Sequence, residues 1–368
     1  MKKVHLSLDD RSYDMHIGNG LVDSMWEDIA NVTGTDRAMF LVDDKVFSLI
    51  EDKIRTICDG QCLMELHAEE SNKTIESVQK IWSTMLDAGL DRSTPLVAIG
   101  GGIVGDVGGF AAATYMRGVP LIQVPKTLLA MVDASIGGKT GVNARRVRSD
   151  GTVILGKNLV GAFWQPKLVV ADVGMLKTLD SRQLRCGLAE CVKHAMLGHP
   201  DLLSFIEEHI KDIHSCETDV MEELIYQSAS IKAEIVSKDE REGGDRALLN
   251  LGHTIAHAIE PLPELGLLHG EAVAVGLVAA AYCAEAMGLV NADFVDRTRE
   301  VLTKLDLPIR ISHEVSVVDL IELMQIDKKN RNGRIRLVLP KGDSGAVIVE
   351  EVDDASIALG LQSVGATR

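Results

Sequence analysis

Aromatic residues are scarce: 3 Trp, 4 Tyr and 6 Phe make up 4% of 368 residues. A sizeable core must therefore be aliphatic, built from Val, Ile, Leu, Ala and Met. Excess positive charge is missing too, with 38 Lys and Arg against 54 Asp and Glu, a net charge of −16. Without a basic tail, such a chain is a poor partner for nucleic acid or an anionic membrane. An anionic ligand would have to be met by cations gathered locally. The six cysteines, Cys58, Cys62, Cys186, Cys191, Cys216 and Cys283, form no CxxC pair and no regular framework. They read as free thiols of a cytoplasmic protein. The longest apolar run, Ala272 to Ala284, is too short to span a bilayer and reads as a buried helix. The opening MKKVHLSLDD lacks an apolar stretch and a small-residue cleavage site, so it does not read as a signal peptide.

What is present is ordinary globular composition, 46% apolar and 25% charged. The length suggests about two domains. In the first half, β-rich runs recur at Lys3–Leu8, Ala38–Val42, Gln61–His67, Leu96–Ile99, Leu121–Val124 and Lys167–Val170, with helical patterns such as Thr74–Ala88 between them. That alternation predicts βαβ units and a mostly parallel, Rossmann-like sheet. From Asp180 onward helical patterns dominate: Ser181–Leu197, Leu202–Ile213, Val220–Ser237, Asn250–Glu260, Gly270–Met287 and Ala292–Leu305. Only Arg334–Leu339 and Ala346–Val349 read as strands there. The expectation is an α/β domain over 1–180 and a mainly helical domain over 181–368.

Leu96–Ile99 runs into Gly100-Gly101-Gly102-Ile103-Val104-Gly105-Asp106. A strand that meets glycines and then a helix can cradle phosphate, because bare backbone N–H groups and a helix N-terminus face the anion. The usual dinucleotide fingerprint also wants an acid about 20 residues on. Pro120–Leu128 contains none. The segment is either a nucleotide site of another type or a tight turn. Further on, Gly137-Gly138-Lys139-Thr140 resembles the tail of a P-loop, but Asp133 stands where the first P-loop glycine belongs. Lys139 is then an exposed loop cation or one held beside a ligand anion.

His253 and His257 are four residues apart and share a helix face. His269 follows at the start of the next helical pattern. Three histidines and a carboxylate can make a metal site with an open position, although a lone His-x3-His pair is as often structural. Glu190, inside an apolar helical stretch, is the carboxylate candidate, since a buried charge is costly unless paired or metal-bound. Glu190, His194 and His199 would not readily converge, because Gly198 and Pro200 end that helix. Arg117, Lys139, Lys157, Lys193, Lys232, Arg246, Lys328 and Lys329 accompany these motifs. They suggest an anionic substrate, the alternative being a solvated face with ordinary ion pairs.

From about residue 35 to 345 the chain resembles the 3-dehydroquinate synthases, sugar-phosphate cyclases of the shikimate pathway. The segments that carry the resemblance are GGGIVGDVGGFAAATYMRG (100–118), VDASIGGKTGVN (132–143), LGKNLVGAFWQP (155–166), GLAECVKH (187–194), DEREGGDRALLNLGHTIAHAIE (239–260) and LLHGEAVAVGL (267–277). The resemblance implies an N-terminal α/β domain binding NAD, a mainly helical C-terminal domain, one divalent metal (zinc or cobalt) and a homodimer. It implies that Glu190, His253 and His269 hold the metal, with His257 nearby as a proton-transfer group. It implies substrate contacts from Asp106, Arg117, Asp133, Lys139, Lys157, Asn158, Lys193, Lys232, Arg246, Asn250 and one of Lys328 or Lys329. Of these, Lys139, Lys193, Arg246 and Asn250 would take part in catalysis with His257. NAD contacts carry over to Asp43, Glu70, Lys73, Gly101, Gly102, Ile103, Gly105, Asp106, Lys126, Thr127, Lys139 and Thr178.

The implied reaction takes 3-deoxy-D-arabino-heptulosonate 7-phosphate (DAHP) through oxidation by NAD, phosphate elimination, re-reduction, ring opening and an intramolecular aldol. The chain departs from the family pattern at a basic insert of about nine residues between Asn143 and Gly156, which reads as a surface loop or a lid. It departs again at Lys126, where threonine is usual, at Ala256 and at Lys45. Rival readings are another sugar-phosphate cyclase, a metal-dependent polyol dehydrogenase of the same architecture, and a non-catalytic homologue.

Overall fold

The computed structural model describes residues 1–147, 153–326 and 335–367. The chain forms two compact units, one of Met1–Leu179 with Met221–Arg241, the other of Asp180–Val220 with Glu242–Arg368.

The first unit is built on a seven-stranded sheet. Its strands are β1 (Lys2–Leu6), β2 (Tyr13–Gly18), β3 (Met39–Asp43), β4 (Cys62–Leu66), β5 (Leu96–Gly100), β6 (Leu121–Pro125) and, after a separate two-stranded ribbon of β7 (Lys139–Val147) and β8 (Val153–Phe163), β9 (Leu168–Asp172). The order across the sheet is β1-β2-β9-β6-β5-β3-β4. All neighbours run parallel except the β1–β2 edge. The sheet is buried on both faces, which is why its central strands read as unbroken apolar runs. Side chains alternate between two cores. Phe40, Val42, Val97 and Ile99 enter one with Ile29 and Ile54, and Met39, Leu41, Leu96 and Ala98 enter the other with Val78, Ile81 and Val107.

β2 was not expected, because Asp14 and His16 interrupt its apolar pattern. His16 is accommodated by Asp28, 3.2 Å from its Nδ1. The insert after Asn143 is not a simple surface loop. Its described backbone extends the β7–β8 ribbon, with Ala144 opposite Gly156 and Val147 opposite Val153. Residues 148–152 lie outside the described part.

The second unit is mainly helical. Its centre is the helix His269–Ala286, apolar all round and buried over nearly its whole length. The helix Ser181–Met196, capped by the Asp180 side chain on the Arg182 N–H at 2.9 Å, is almost as deeply buried. The expected helix over Leu202–Ile213 is broken at His209 into Pro200–Glu208 and Ile210–His214. Helices Val317–Ile326 and Asp354–Ser363 were not foreseen. A hairpin of β10 (Leu337–Pro340) and β11 (Ala346–Val349) completes the unit.

The expected division at residue 180 is corrected in one place. The helix Thr218–Lys238 belongs for most of its length to the first unit. Polar anchors hold it there: Lys232 bonds to Asp133, Lys2 pairs with Glu223, and Arg11 and Gln165 both reach Glu240 at 2.9 Å. No described helix is long and apolar enough to cross a membrane.

Candidate functional site

In the second unit, three side chains from three helices converge. Glu190 lies in the buried middle of Ser181–Met196 and is 0% exposed. His253 and His269 are the first residues of the helices His253–Ile259 and His269–Ala286. Gly270 lets that last helix start close to the Glu190 helix. A Cβ there would sit 2.3 Å from both Cα and the carbonyl oxygen of Cys186. Glu271 fixes the same helix start by accepting the Leu268 N–H at 2.8 Å and a bidentate pair from Arg182 at 2.6 Å.

Glu190 Oε1 faces His253 Nε2 at 3.5 Å and His269 Nε2 at 3.6 Å. These separations are too long for good hydrogen bonds. They match the spacing of donors around a cation, since ligand atoms each about 2.1 Å from a tetrahedral zinc stand about 3.4 Å apart. The other nitrogen of each ring is committed. His253 Nδ1 donates to the Leu251 carbonyl at 3.1 Å, and His269 Nδ1 to Glu260 Oε2 at 3.0 Å. That fixes the tautomers and leaves both Nε2 atoms to bind a proton or a metal.

The electrostatics agree. Burial alone would raise the Glu190 carboxyl, but the Lys193 ammonium, paired with it one turn on, and the two imidazoles hold it well below the usual carboxylate range. Burial disfavours charge on His269, yet Glu190 and Glu260 lift it to about 10. The cluster is built to enclose positive charge, and its three-donor set suits a divalent ion. His257 is on the same helix as His253, their ring centroids 5.7 Å apart. His199 lies beyond the Glu190 helix, as the N-cap of the next one.

Also in this unit, Arg246 is 1% exposed, on the helical turn Asp245–Asn250. Asn250 donates to Glu242 Oε1 at 2.8 Å. Neither Glu242 nor Glu260 was singled out from sequence. Glu260 could have been, since it lies seven residues after His253 on the same face of the helical pattern.

In the first unit, the strand order reverses between β3 and β5, because the chain steps from β3 outward to β4 and then crosses back to β5. In open parallel sheets, ligands bind outside the carboxyl ends at such a point. β3 ends in Asp43, which caps the following helix through the Lys45 N–H at 2.9 Å. β5 ends in Gly100, and Gly101 leads into the helix Gly102–Thr114, which carries Ile103, Gly105 and Asp106. A Cβ on Gly100 would lie 3.2 Å from Asp43 Cβ, and one on Gly101 3.3 Å from Thr127 Cγ2.

Elsewhere in this unit the predicted residues fall into small groups. Lys73 pairs with Asp106, whose carboxyl is nonetheless raised by burial. Asn143 donates to Glu70 Oε1 at 2.7 Å and accepts the Asn158 N–H at 3.0 Å. Lys126 reaches Thr178, and Lys232 reaches Asp133. Lys139 and Lys157 are exposed on the β7–β8 ribbon, and Arg117 is exposed at a turn with φ +68°. Lys328 and Lys329 lie outside the described residues.

The chain matches the family model for the 3-dehydroquinate synthase N-terminal domain over residues 63–186 and that for the C-terminal domain over 187–330. It is 40% identical over 352 residues to a 3-dehydroquinate synthase of Halorhodospira halophila, covering 95% of this chain and 96% of that one. It is 39% identical over 345 residues to one of Alkaliphilus metalliredigens, covering 93% of each. Among solved structures, 2-epi-5-epi-valiolone synthase of Streptomyces hygroscopicus, with NAD+ and Zn2+ bound, superposes with a TM-score of 0.84 at 29% identity, covering 97% of this chain and 98% of that one. A 2-deoxy-scyllo-inosose synthase complexed with carbaglucose-6-phosphate, NAD+ and Co2+ gives 0.84 at 25%, with the same coverage.

Proposed function

The chain belongs to the 3-dehydroquinate synthase family, and from that premise we propose that it converts DAHP into 3-dehydroquinate and inorganic phosphate, a lyase step of aromatic amino-acid biosynthesis. The observation that carries the reading is that relatives of that activity match 93–95% of the chain. The glycine crevice and the Glu190–His253–His269 cluster support it.

Glu190, His253 and His269 hold one divalent ion, zinc or cobalt. When bound, the ion supplies Lewis-acid stabilisation of charge on substrate oxygens. The crevice formed by Asp43, Gly101, Gly102 and Thr127 would hold NAD, which would supply reversible hydride transfer at a substrate carbinol with no net consumption. Lys232, steered by Asp133, and Arg246 bind anionic groups of the sugar phosphate through charge-assisted bonds. Asn250, oriented by Glu242, binds a substrate hydroxyl. His257 takes the carbinol proton as general base. Lys193 stands beside the metal carboxylate, where it balances Glu190 and offers a further N–H to substrate. We assign the enzyme to the cytoplasm as a homodimer, in keeping with its free thiols and its resemblance to the family.

The test follows DAHP by proton and phosphorus NMR with purified protein, metal, and NAD far below substrate. Release of phosphate with 3-dehydroquinate, over many turnovers per NAD, is the expected result. Stoichiometric reduction of NAD by a polyol would move the chain to the dehydrogenases. Inertness toward DAHP with cyclisation of sedoheptulose 7-phosphate would move it to another cyclase.

A further inference from the structure

Asn143 is not among the residues singled out from the sequence. It sits inside the β7–β8 ribbon at a break in its register. Val142 pairs with Val160 and Ala144 with Gly156, so Lys157, Asn158 and Leu159 stand opposite this one residue. The surplus residues bulge out of β8, and Asn158 takes a left-handed backbone with φ +52°. Bulges re-aim side chains and are over-represented next to active sites. This one displays Lys157 and Asn158, both exposed.

Asn143 itself is 7% exposed, and both ends of its amide are used. Its Oδ1 accepts the Asn158 N–H at 3.0 Å, inside the bulge. Its Nδ2 donates to Glu70 Oε1 at 2.7 Å. Its backbone N–H donates to the Lys73 carbonyl at 2.8 Å. Lys73 in turn pairs with Asp106, on the helix that follows the glycine turn. One residue therefore ties the turn after β4 to the bulge in β8. The bridge needs a donor on one side and an acceptor on the other, at one short reach, and asparagine supplies both. Aspartate would still accept from Asn158, but would set a second carboxylate against Glu70. Alanine would release both ends.

We propose that Asn143 is a positioning residue for the reaction. It holds the bulge so that Lys157 and Asn158 meet the sugar phosphate, in register with the turn that carries Glu70 and Lys73. This rests on the cyclase reading and on the substrate roles expected of Lys157 and Asn158. The action is indirect: a bulge held in one conformation presents its cation at a fixed place, and a substrate phosphate is oriented only by groups that are themselves fixed.

The test is steady-state kinetics with DAHP at saturating NAD and metal, with thermal melting on the same samples. The variants are Asn143→Ala, Asn143→Asp, Glu70→Gln, the pair Asn143→Asp with Glu70→Gln, Lys157→Met, and Asn143→Ala with Lys157→Met. Asn143→Ala should raise KM for DAHP about tenfold, the effect of one lost anchor, while kcat stays nearer the parent value, as lost ground-state binding requires. Asn143→Asp should do at least as much. Adding Glu70→Gln to it should bring KM most of the way back, because the new amide donates to the new carboxylate. Asn143→Ala should add little to Lys157→Met, since both act through the same contact. If Asn143→Ala fails to fold, the rescue by Glu70→Gln decides. Parent KM in a folded Asn143→Ala enzyme overturns the proposal, and so does a rescue that restores melting temperature but not KM. Parent KM in Lys157→Met overturns the substrate role on which the proposal rests. A parent chain inert toward DAHP overturns the cyclase reading, and the proposal falls with it.

Discussion

His269 gives its Nδ1 proton to Glu260 at 3.0 Å while its Nε2 faces Glu190 at 3.6 Å. One carboxylate thus aims the ring, and the other faces the nitrogen left for a metal or a proton. Partners of this kind typically govern metal affinity by roughly 10–100-fold. Glu260→Gln should weaken zinc binding by that factor in competition with a chromophoric chelator, with NAD affinity unaltered. Unchanged zinc affinity would reduce Glu260 to a surface carboxylate.

His269→Ala should remove metal and activity while helical circular dichroism is preserved. The side chain is one-third exposed at a helix start, so its loss opens no deep cavity. A variant that retains both stoichiometric metal and turnover would exclude His269 from the ligand set.

Glu190→Gln should be more damaging to the fold, because it removes the carboxylate charge paired with the Lys193 ammonium, which is 2% exposed. Breaking a buried pair costs about 3–5 kcal/mol. Glu190→Gln with Lys193→Met should recover much of that loss in chemical denaturation, though not metal binding. Two additive losses would show that the residues do not act as a pair.

Gly270→Ala places a methyl group against the backbone of Cys186. Backbone cannot swing aside as a side chain can, so the helix start must shift at a cost of about 1–3 kcal/mol. Melting temperature and metal retention should fall together.

Arg182 holds Glu271 below the ordinary carboxylate value, against the effect of burial. A lowered native pKa means that the unfolded chain takes up the proton first as pH falls. The contribution of this pair is therefore complete above the ordinary carboxylate pKa of about 4.3 and disappears as pH drops through the lower native value. The denaturation midpoint of Glu271→Gln should fall less steeply than that of the parent chain in that acidic window.

How far the sequence could be read depended on whether a signal was local. The strands β3, β5 and β6 were legible because a sheet covered on both faces demands runs such as Met39-Phe40-Leu41-Val42. Glu190 stood out as an acid in an apolar helix, and His269 as a histidine at a helix start. β2 was missed because the contact that tolerates His16 comes from Asp28, on a different element. Glu260 was missed because a carboxylate late in a short helix looks solvated until its partner across a loop is known. The placement of Thr218–Lys238 depends on Asp133, Lys2, Arg11 and Gln165, all far away in sequence.

That helix also sets the order of events during synthesis. Domains commonly fold as they emerge from the ribosome, N-terminal first. Here the first unit cannot close when Leu179 has been made, because Met221–Arg241 belongs to it. Asp133 must wait for Lys232, and Glu190 and Lys193 are already exposed to the cell in the meantime. A gene cut at the apparent boundary would leave the first unit without Met221–Arg241, which belongs to it.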